Sequence, residues 1–402
     1  MKRIALSFLI AALPAIGWAG DGDEPKPDQV AASNEFALEL YSHLAAADGN
    51  LFVSPLSIST ALAMTWAGAR GETAAEMAEA LHLVLPPDEL HTELGALLDG
   101  LQAGREERGY ELHIANALWG QQGTTFSPQF IDINEQCYGA GLRIVDFIRQ
   151  TEQARLAINE WVEQKTNERI KDLIARGILT TDTRLVLTNA IYFLADWAMP
   201  FEKHATRNAP FTRHDGTRSN VPTMHDSRRL RYAEAEDIKV LELPYKNNEL
   251  SMLILLPDKH DGLPALEKQL SAAFLQGLIG SLKHEQVQVA LPKFTFESSF
   301  RLNDTLKAMG MKKAFDPNSA DFSGMTTDEQ LFISAVVHKT FVKVDEKGTE
   351  AAAATAVIMA KLRAPMEPKQ FRADHPFLFI IRDNRSGIVL FAGRLMEPAA
   401  GG

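Results

Sequence analysis

The sequence predicts an α+β protein, and three features carry the prediction. Apolar residues recur at helical spacing early in the chain, at Phe36, Leu38, Leu40, Tyr41 and Leu44 and again after Pro55. Short runs with strand-like alternation or continuous apolar character follow, at Tyr110–Gln121, Val240–Tyr245, Leu250–Pro257 and Phe332–Val344. The third feature is Asp345–Met366, placed like a loop but not composed like one. It opens with charge and glycine, holds only small or apolar residues and one threonine from Ala351 to Ala360, and closes on Lys361, Leu362 and Arg363. Surface loops are normally polar and rich in turn formers. Laid out with period two, one face of this stretch carries Thr349, Ala351, Ala353, Thr355, Val357 and Met359, and Glu350 falls on the other. Alanine propensity alone equally allows a helix. The strand-like flanks favour a strand that can be buried.

At the start, Met1-Lys2-Arg3, an apolar run from Ile4 to Ile16 and Gly17-Trp18-Ala19 read as a secretory signal peptide over 1–19, cleaved near Ala19. A disordered leader is expected over 20–27. No other run reaches the roughly 18 apolar residues of a membrane span, and no cysteine stands at the cleavage point to carry a lipid anchor. A secreted, extracellular or periplasmic location follows.

The 41 basic and 52 acidic residues give a net charge of -11; without Lys2 and Arg3 the balance is 39 against 52, or -13. Nucleic acid is not an expected partner. Arg228, Arg229 and Arg231 read as a solvated strand end, with a polyanion site as the alternative. Cys137 is the only cysteine, so no internal disulfide is possible and stability must come from packing.

Taken in order, Ser33-Asn34-Glu35 opens the first amphipathic helix, and Ser54 before Pro55 reads as the cap of a second, apolar all round to Trp66 and therefore buried. Ser54 and Ser57 then need buried partners, since an unpaired buried polar group costs about 1–3 kcal/mol. Gly71–Met77 starts a short capped helix. Thr151–Thr166 reads as a helix with Ala154, Leu156, Ile158, Trp161 and Val162 on its apolar side, and Tyr232–Pro257 and Leu291–Phe296 as strands.

Glu346-Lys-Gly-Thr-Glu-Ala-Ala-Ala-Ala354, Asp374-His-Pro-Phe-Leu-Phe379, Asn50–Met64 and Leu187-Thr-Asn-Ala-Ile-Tyr-Phe193 resemble the serpin family, over nearly all of the chain after the leader. Length alone, with roughly 380 residues against a single-core limit of about 250–300, would predict two domains. The resemblance instead implies one domain over 28–398, with three β-sheets, eight or nine helices and an exposed reactive-centre loop at about 346–370.

The resemblance also implies roles. Ser54, Ser57, Asn189 and His338 match a family cluster beneath the central sheet, a shutter that lets strands part; a purely stabilising polar network is the plainer reading. Trp197, Lys293 and Glu346 match the region where the loop first enters, with Lys293 paired to Glu346. Glu346, Gly348, Thr349, Glu350, Ala351, Ala352, Ala353 and Ala354 match the hinge of inhibitory members, which needs small residues and no proline. Family spacing places Leu362 before the cleaved bond and Arg363 after it, suiting chymotrypsin-, elastase- or cathepsin G-like proteases. Lys361–Leu362 and Arg363–Ala364 are the trypsin-like alternatives.

In such a mechanism the target protease forms an acyl-enzyme with the loop. Insertion of about 15 residues at roughly 3.3 Å each then carries it about 50 Å. The expected partners are serine proteases held covalently, with papain-like cysteine proteases left open. No cofactor, metal or membrane anchor is expected, and the chain is expected to be a monomer. Gly-x-Ser-x-Gly, His-Glu-x-x-His and Gly-x-x-x-x-Gly-Lys-Ser/Thr are all missing, so an enzyme is not expected. Two competing readings are a non-inhibitory binding or chaperone-like serpin and a hydrolase using a serine with His338.

Overall fold

Asp28 accepts the backbone N–H of Ala31 and starts α1 (Gln29–Leu44), a turn before the predicted Ser33 start. The aspartate wins because it reaches an otherwise unpaired N–H of the first turn. Asn34 is buried inside the helix, bonded to the Gly387 carbonyl and the Val389 N–H. The structure, a computed structural model, describes residues 28–102, 109–349 and 367–398. The signal and leader, hinge positions 350–354 and bond positions 361–364 lie outside these residues.

After β1 (Leu51–Val53), α2 (Pro55–Trp66) starts as predicted: Ser54 Oγ accepts the Ser57 N–H at 3.3 Å, and every residue from Pro55 to Thr65 is buried. Helix α3 (Gly71–Ala80) lacks the side-chain cap that was expected, because Arg70 stands at the cap position and no such bond forms. Next come α4 (Pro87–Gln102), β2 (Tyr110–Gln121), α5 (Pro128–Tyr138), β3 (Leu142–Val145), α6 (Thr151–Lys165) and β4 (Leu185–Asp196). Strands β5 (Arg207–Thr212), β6 (Arg218–Ala235), β7 (Ile238–Pro244) and β8 (Leu250–Pro257) precede α7 (Leu263–Gln269) and α8 (Ala272–Ser281). The chain ends with β9 (Lys283–Pro292), β10 (Phe294–Arg301), α9 (Asn303–Ala308), β11 (Ile333–Val344), β12 (Gly348–Thr349), β13 (Lys369–Arg372), β14 (Phe377–Asp383) and β15 (Val389–Leu395).

The three expected sheets are hydrogen-bonded as two networks among the described residues. One runs β1-β15-β14-β8-β7-β6-β9-β13 with β5 on β6; the other runs β10-β11-β12-β4-β2-β3. The merger has a simple cause. Strand β6 is 18 residues long and pairs with β5 at its start, β9 along its middle and β7 at its end, so it passes through two sheets without a break. Leu291–Phe296, predicted as one strand, divides at Lys293, where the chain leaves one network as β9 and enters the other as β10.

Apolar side chains fill the space between the networks, among them Phe52, Phe193, Tyr245, Phe379 and Phe391, with Phe52 stacked on Phe391 at 4.9 Å. A second apolar layer lies under α6, where Ala154, Ile158 and Val162 pack on Ala117, Trp119, Val186, Ala190 and Val337. The six-stranded sheet is thus covered on both faces, and β4 is buried without a break over residues 185–193 for that reason. Leu156, expected on the apolar side of α6, is instead 52% exposed, because it is two residues off the 154–158–162 row.

Candidate functional site

Strands β4 and β11 lie side by side and parallel from Ile333↔Leu185 to Phe341↔Tyr192. Above Tyr192 and Phe341 they part. Gly348 and Thr349, the whole of β12, occupy the gap and pair antiparallel with both neighbours, Thr349 opposite Ala195 on one side and Val344 on the other. A Cβ at Gly348 would run into the Ala195 carbonyl, so only glycine fits this close approach. Thr349 is buried, and its hydroxyl meets Tyr245 Oη at 2.7 Å; Tyr245 in turn stacks on Trp197 at 4.7 Å.

The predicted residues at the head of this gap do come together. The Trp197 indole N–H donates to the Asp345 carbonyl at 3.0 Å, and backbone N–H groups of Trp197 and Phe201 donate to Lys347 and Glu346 at 2.8 and 2.7 Å. Lys293 Nζ meets Glu346 Oε2 at 2.8 Å, and Thr206 donates to the other carboxylate oxygen at 2.8 Å. Burial pushes the Glu346 carboxyl up, but these hydrogen bonds outweigh it and hold it below the usual glutamate range. The carboxylate is buried, so this is a stronger junction than an exposed pair.

Lower in the same strand pair, Ser54, Ser57, Asn189 and His338 form one fully buried polar cluster. Ser54 Oγ donates to the Leu390 carbonyl at 2.8 Å, and Asn189 Nδ2 donates to Ser57 Oγ at 2.7 Å. His338 Nε2 accepts the Ser54 backbone N–H at 3.1 Å, so the ring proton sits on Nδ1, which bonds Asn189 Oδ1. Desolvation lowers the His338 pKa to about 3, and the ring is neutral. Neither serine hydroxyl faces the imidazole or solvent, which removes the hydrolase reading. Since β4 and β11 pair at His338↔Asn189, the cluster ties these two strands together below the gap.

Two residues escaped the sequence reading. Asn116 of β2 completes the cluster, accepting from Ser57 Oγ at 3.0 Å and from Asn189 Nδ2 at 2.6 Å. Its signal was a lone amide in the inner row Leu112, Ile114, Asn116, Leu118. Arg228, expected in a solvated strand end, is buried 9% exposed, while Arg229 is exposed and Arg231 pairs with Glu242 at 2.6 Å. Alternation along β6 turns Arg228 inward and Arg229 outward. Among the described residues no group of three or more His, Cys, Asp or Glu gathers for a metal, and no helix is long and apolar enough to cross a membrane.

A family model described as serpin (serine protease inhibitor) matches residues 31–398. An uncharacterized serpin-like protein of Thermococcus kodakarensis is 45% identical over 375 residues, 92% of this chain and 86% of that protein. The human leukocyte elastase inhibitor is 43% identical over 379 residues, 91% of this chain and 98% of the inhibitor. The crystal structure of Serpin48 from the insect Tenebrio molitor superposes with a TM-score of 0.83 at 36% identity, covering 93% of this chain and all of that one.

Proposed function

The chain belongs to the serpin family of serine protease inhibitors, and we propose that it acts as a suicide substrate. A protease cuts the loop, forms an acyl-enzyme and is trapped when the loop inserts between β4 and β11. The observation that carries this is β12, already paired antiparallel with both strands at the head of the gap. Continued in that register, Ala351, Ala353, Thr355, Val357 and Met359 come opposite Phe193, Ile191, Asn189, Leu187 and Leu185, the inner face of β4. Small residues meet the bulky Phe193 and Ile191 first, and no proline or inward charge stands in the way.

Insertion exchanges one parallel ladder for two antiparallel ones, which adds backbone hydrogen bonds of the more stable kind. The uncleaved loop cannot make this exchange in full because both its ends are tied, at β12 and β13. The native state is therefore metastable, and trapping is a kinetic outcome. Deacylation needs an intact oxyanion hole and triad in the target, and crushing these against the far pole leaves the ester standing.

In this register Met359 meets Leu185, the first residue of β4, so the slot is filled just before Leu362. That supports Leu362–Arg363 as the cleaved bond and chymotrypsin-, elastase- or cathepsin G-like targets, as does a relative named for leukocyte elastase. Residues 1–19 support action outside the cytoplasm. The test mixes the mature protein separately with trypsin, chymotrypsin and neutrophil elastase, then reads denaturing gels and the mass of the released C-terminal peptide. A complex that survives denaturation and a peptide beginning at Arg363 are expected; a peptide beginning at Leu362 or Ala364 moves the bond. Cleavage with no stable complex sinks the trapping reading in favour of a non-inhibitory serpin.

A further inference from the structure

Arg228 stands in the β6 row Met224, Asp226, Leu230 and Tyr232, in which Asp226 is half-buried and the other three are apolar and buried. Its guanidinium pairs with the Asp226 carboxylate, donates through Nη1 to the Met199 carbonyl and lies over the Phe201 ring, 4.3 Å from its centroid. Its Nε is buried with no acceptor. Desolvation lowers its pKa, with Asp226 opposing, yet an arginine remains charged there. A charge held this way is costly to bury, and an apolar residue of similar volume would stabilise the fold at least as well. Global stability is a poor account of its presence.

What the guanidinium holds is more telling. Met199 and Phe201 belong to the short strip that follows β4, and that strip carries the base of the loop. Trp197 N–H binds Lys347 O, Phe201 N–H binds Glu346 O and the Trp197 indole binds Asp345 O. Arg228 touches none of residues 345–349 in these contacts; it fixes the carbonyl and the ring on either side of Pro200.

We propose that Arg228 is a positioning residue for the inhibitory reaction. By fixing Met199 and Phe201 it fixes the three hydrogen bonds on residues 345–347, and so keeps the loop base from advancing between β4 and β11 before a protease has cut. The proposal rests on the insertion reading above. Its consequence is a working lifetime: without Arg228 the uncleaved loop enters the sheet spontaneously and the inhibitor spends itself.

The test compares full-length wild type, Arg228→Met and Arg228→Lys, incubated at physiological temperature without protease. Aliquots are assayed for covalent trapping of whichever protease the wild type traps and for resistance of the monomer to urea. Arg228→Met should lose trapping at least about tenfold faster than wild type, the inactive fraction appearing as a urea-resistant monomer. Arg228→Lys, which keeps a cation and a donor for Met199 O, should recover most of the lifetime. Equal lifetimes for wild type and Arg228→Met overturn the proposal. So does loss through unfolding or aggregation with no urea-resistant monomer, which is what a merely structural role would give. If Arg228→Met does not accumulate as folded protein, Phe201→Leu, which removes the ring under the guanidinium, is read by the same criteria. Wild type serves as the control: if it traps no protease and its cleaved form gains no urea resistance, the insertion reading falls and this proposal with it. If it does both and the variants age like wild type, only the role of Arg228 is lost.

Discussion

His338 accepts from the Ser54 backbone with one ring nitrogen and donates to Asn189 with the other, an arrangement that exists only for the neutral ring. Its folded pKa of about 3 lies below the ordinary 6.5, so below pH 6.5 the unfolded chain binds the proton first. The stabilisation is complete above pH 6.5 and falls by about 1.4 kcal/mol per unit as pH drops toward 3. Urea midpoints measured across this range should fall with acid, and His338→Gln, which offers an acceptor and a donor without titrating there, should flatten the slope. Lys293→Ala leaves the buried Glu346 carboxylate with Thr206 and a backbone N–H but no cation; a loss of about 1–3 kcal/mol in native stability is expected by urea denaturation. At this scale legibility followed the motifs. Ser54, Ser57, Asn189 and His338 stood in recognisable blocks, whereas Arg228 was hidden among three arginines within four positions. Only its place in the β6 row separates the buried one from its neighbours.

Helix α6 packs over β4 and β11, the strands that the proposed insertion would part, and its own fastenings set how readily it would yield. Asn159 Oδ1 accepts the Ile174 N–H at 2.8 Å, its Nδ2 donates to the Ile174 carbonyl at 3.0 Å, and Arg155 donates to the same carbonyl at 2.9 Å. On the other side Arg143 of β3 lies over the Trp161 ring at 4.7 Å. Asn159→Ala should cost about 1–3 kcal/mol and raise hydrogen exchange in α6 and in the segment around Ile174 before it changes exchange in β14 or β15. Uniform exchange across the molecule would show that α6 is not a separately releasable element. Elements with strong patterns were legible to the residue, as in Tyr110–Gln121. Thr349 was legible as the start of a strand that can be buried, but the pairing already formed at Gly348-Thr349 was not; it exists because β4 and β11 diverge above Tyr192 and Phe341. The single network through β6 was equally invisible, since strand periodicity says nothing about which neighbours a long strand has.

For the molecule as a whole, the proposed reaction replaces a closed sheet by a wider one, and Thr349 stands where that change begins. It is 1% exposed, against Tyr245 and Trp197, and every inserted residue must follow it. Thr349→Arg would place a guanidinium in this apolar layer, where a buried unpaired charge is strongly disfavoured. The loop would remain cleavable, but deacylation would overtake insertion; a barrier raised by only ~1.4 kcal/mol shifts that partition tenfold. Protease titrations should therefore show many molecules of the variant consumed for each protease trapped, and the cleaved variant should lack the rise in melting temperature expected for cleaved wild type. Thr349→Val separates the two functions of the site, since it loses the hydroxyl facing Tyr245 and keeps the shape. It should trap protease with near wild-type stoichiometry. Retained one-to-one trapping by Thr349→Arg would contradict insertion from β12 onward, and loss of trapping by Thr349→Val would shift the cause from burial of the loop to its single hydroxyl contact.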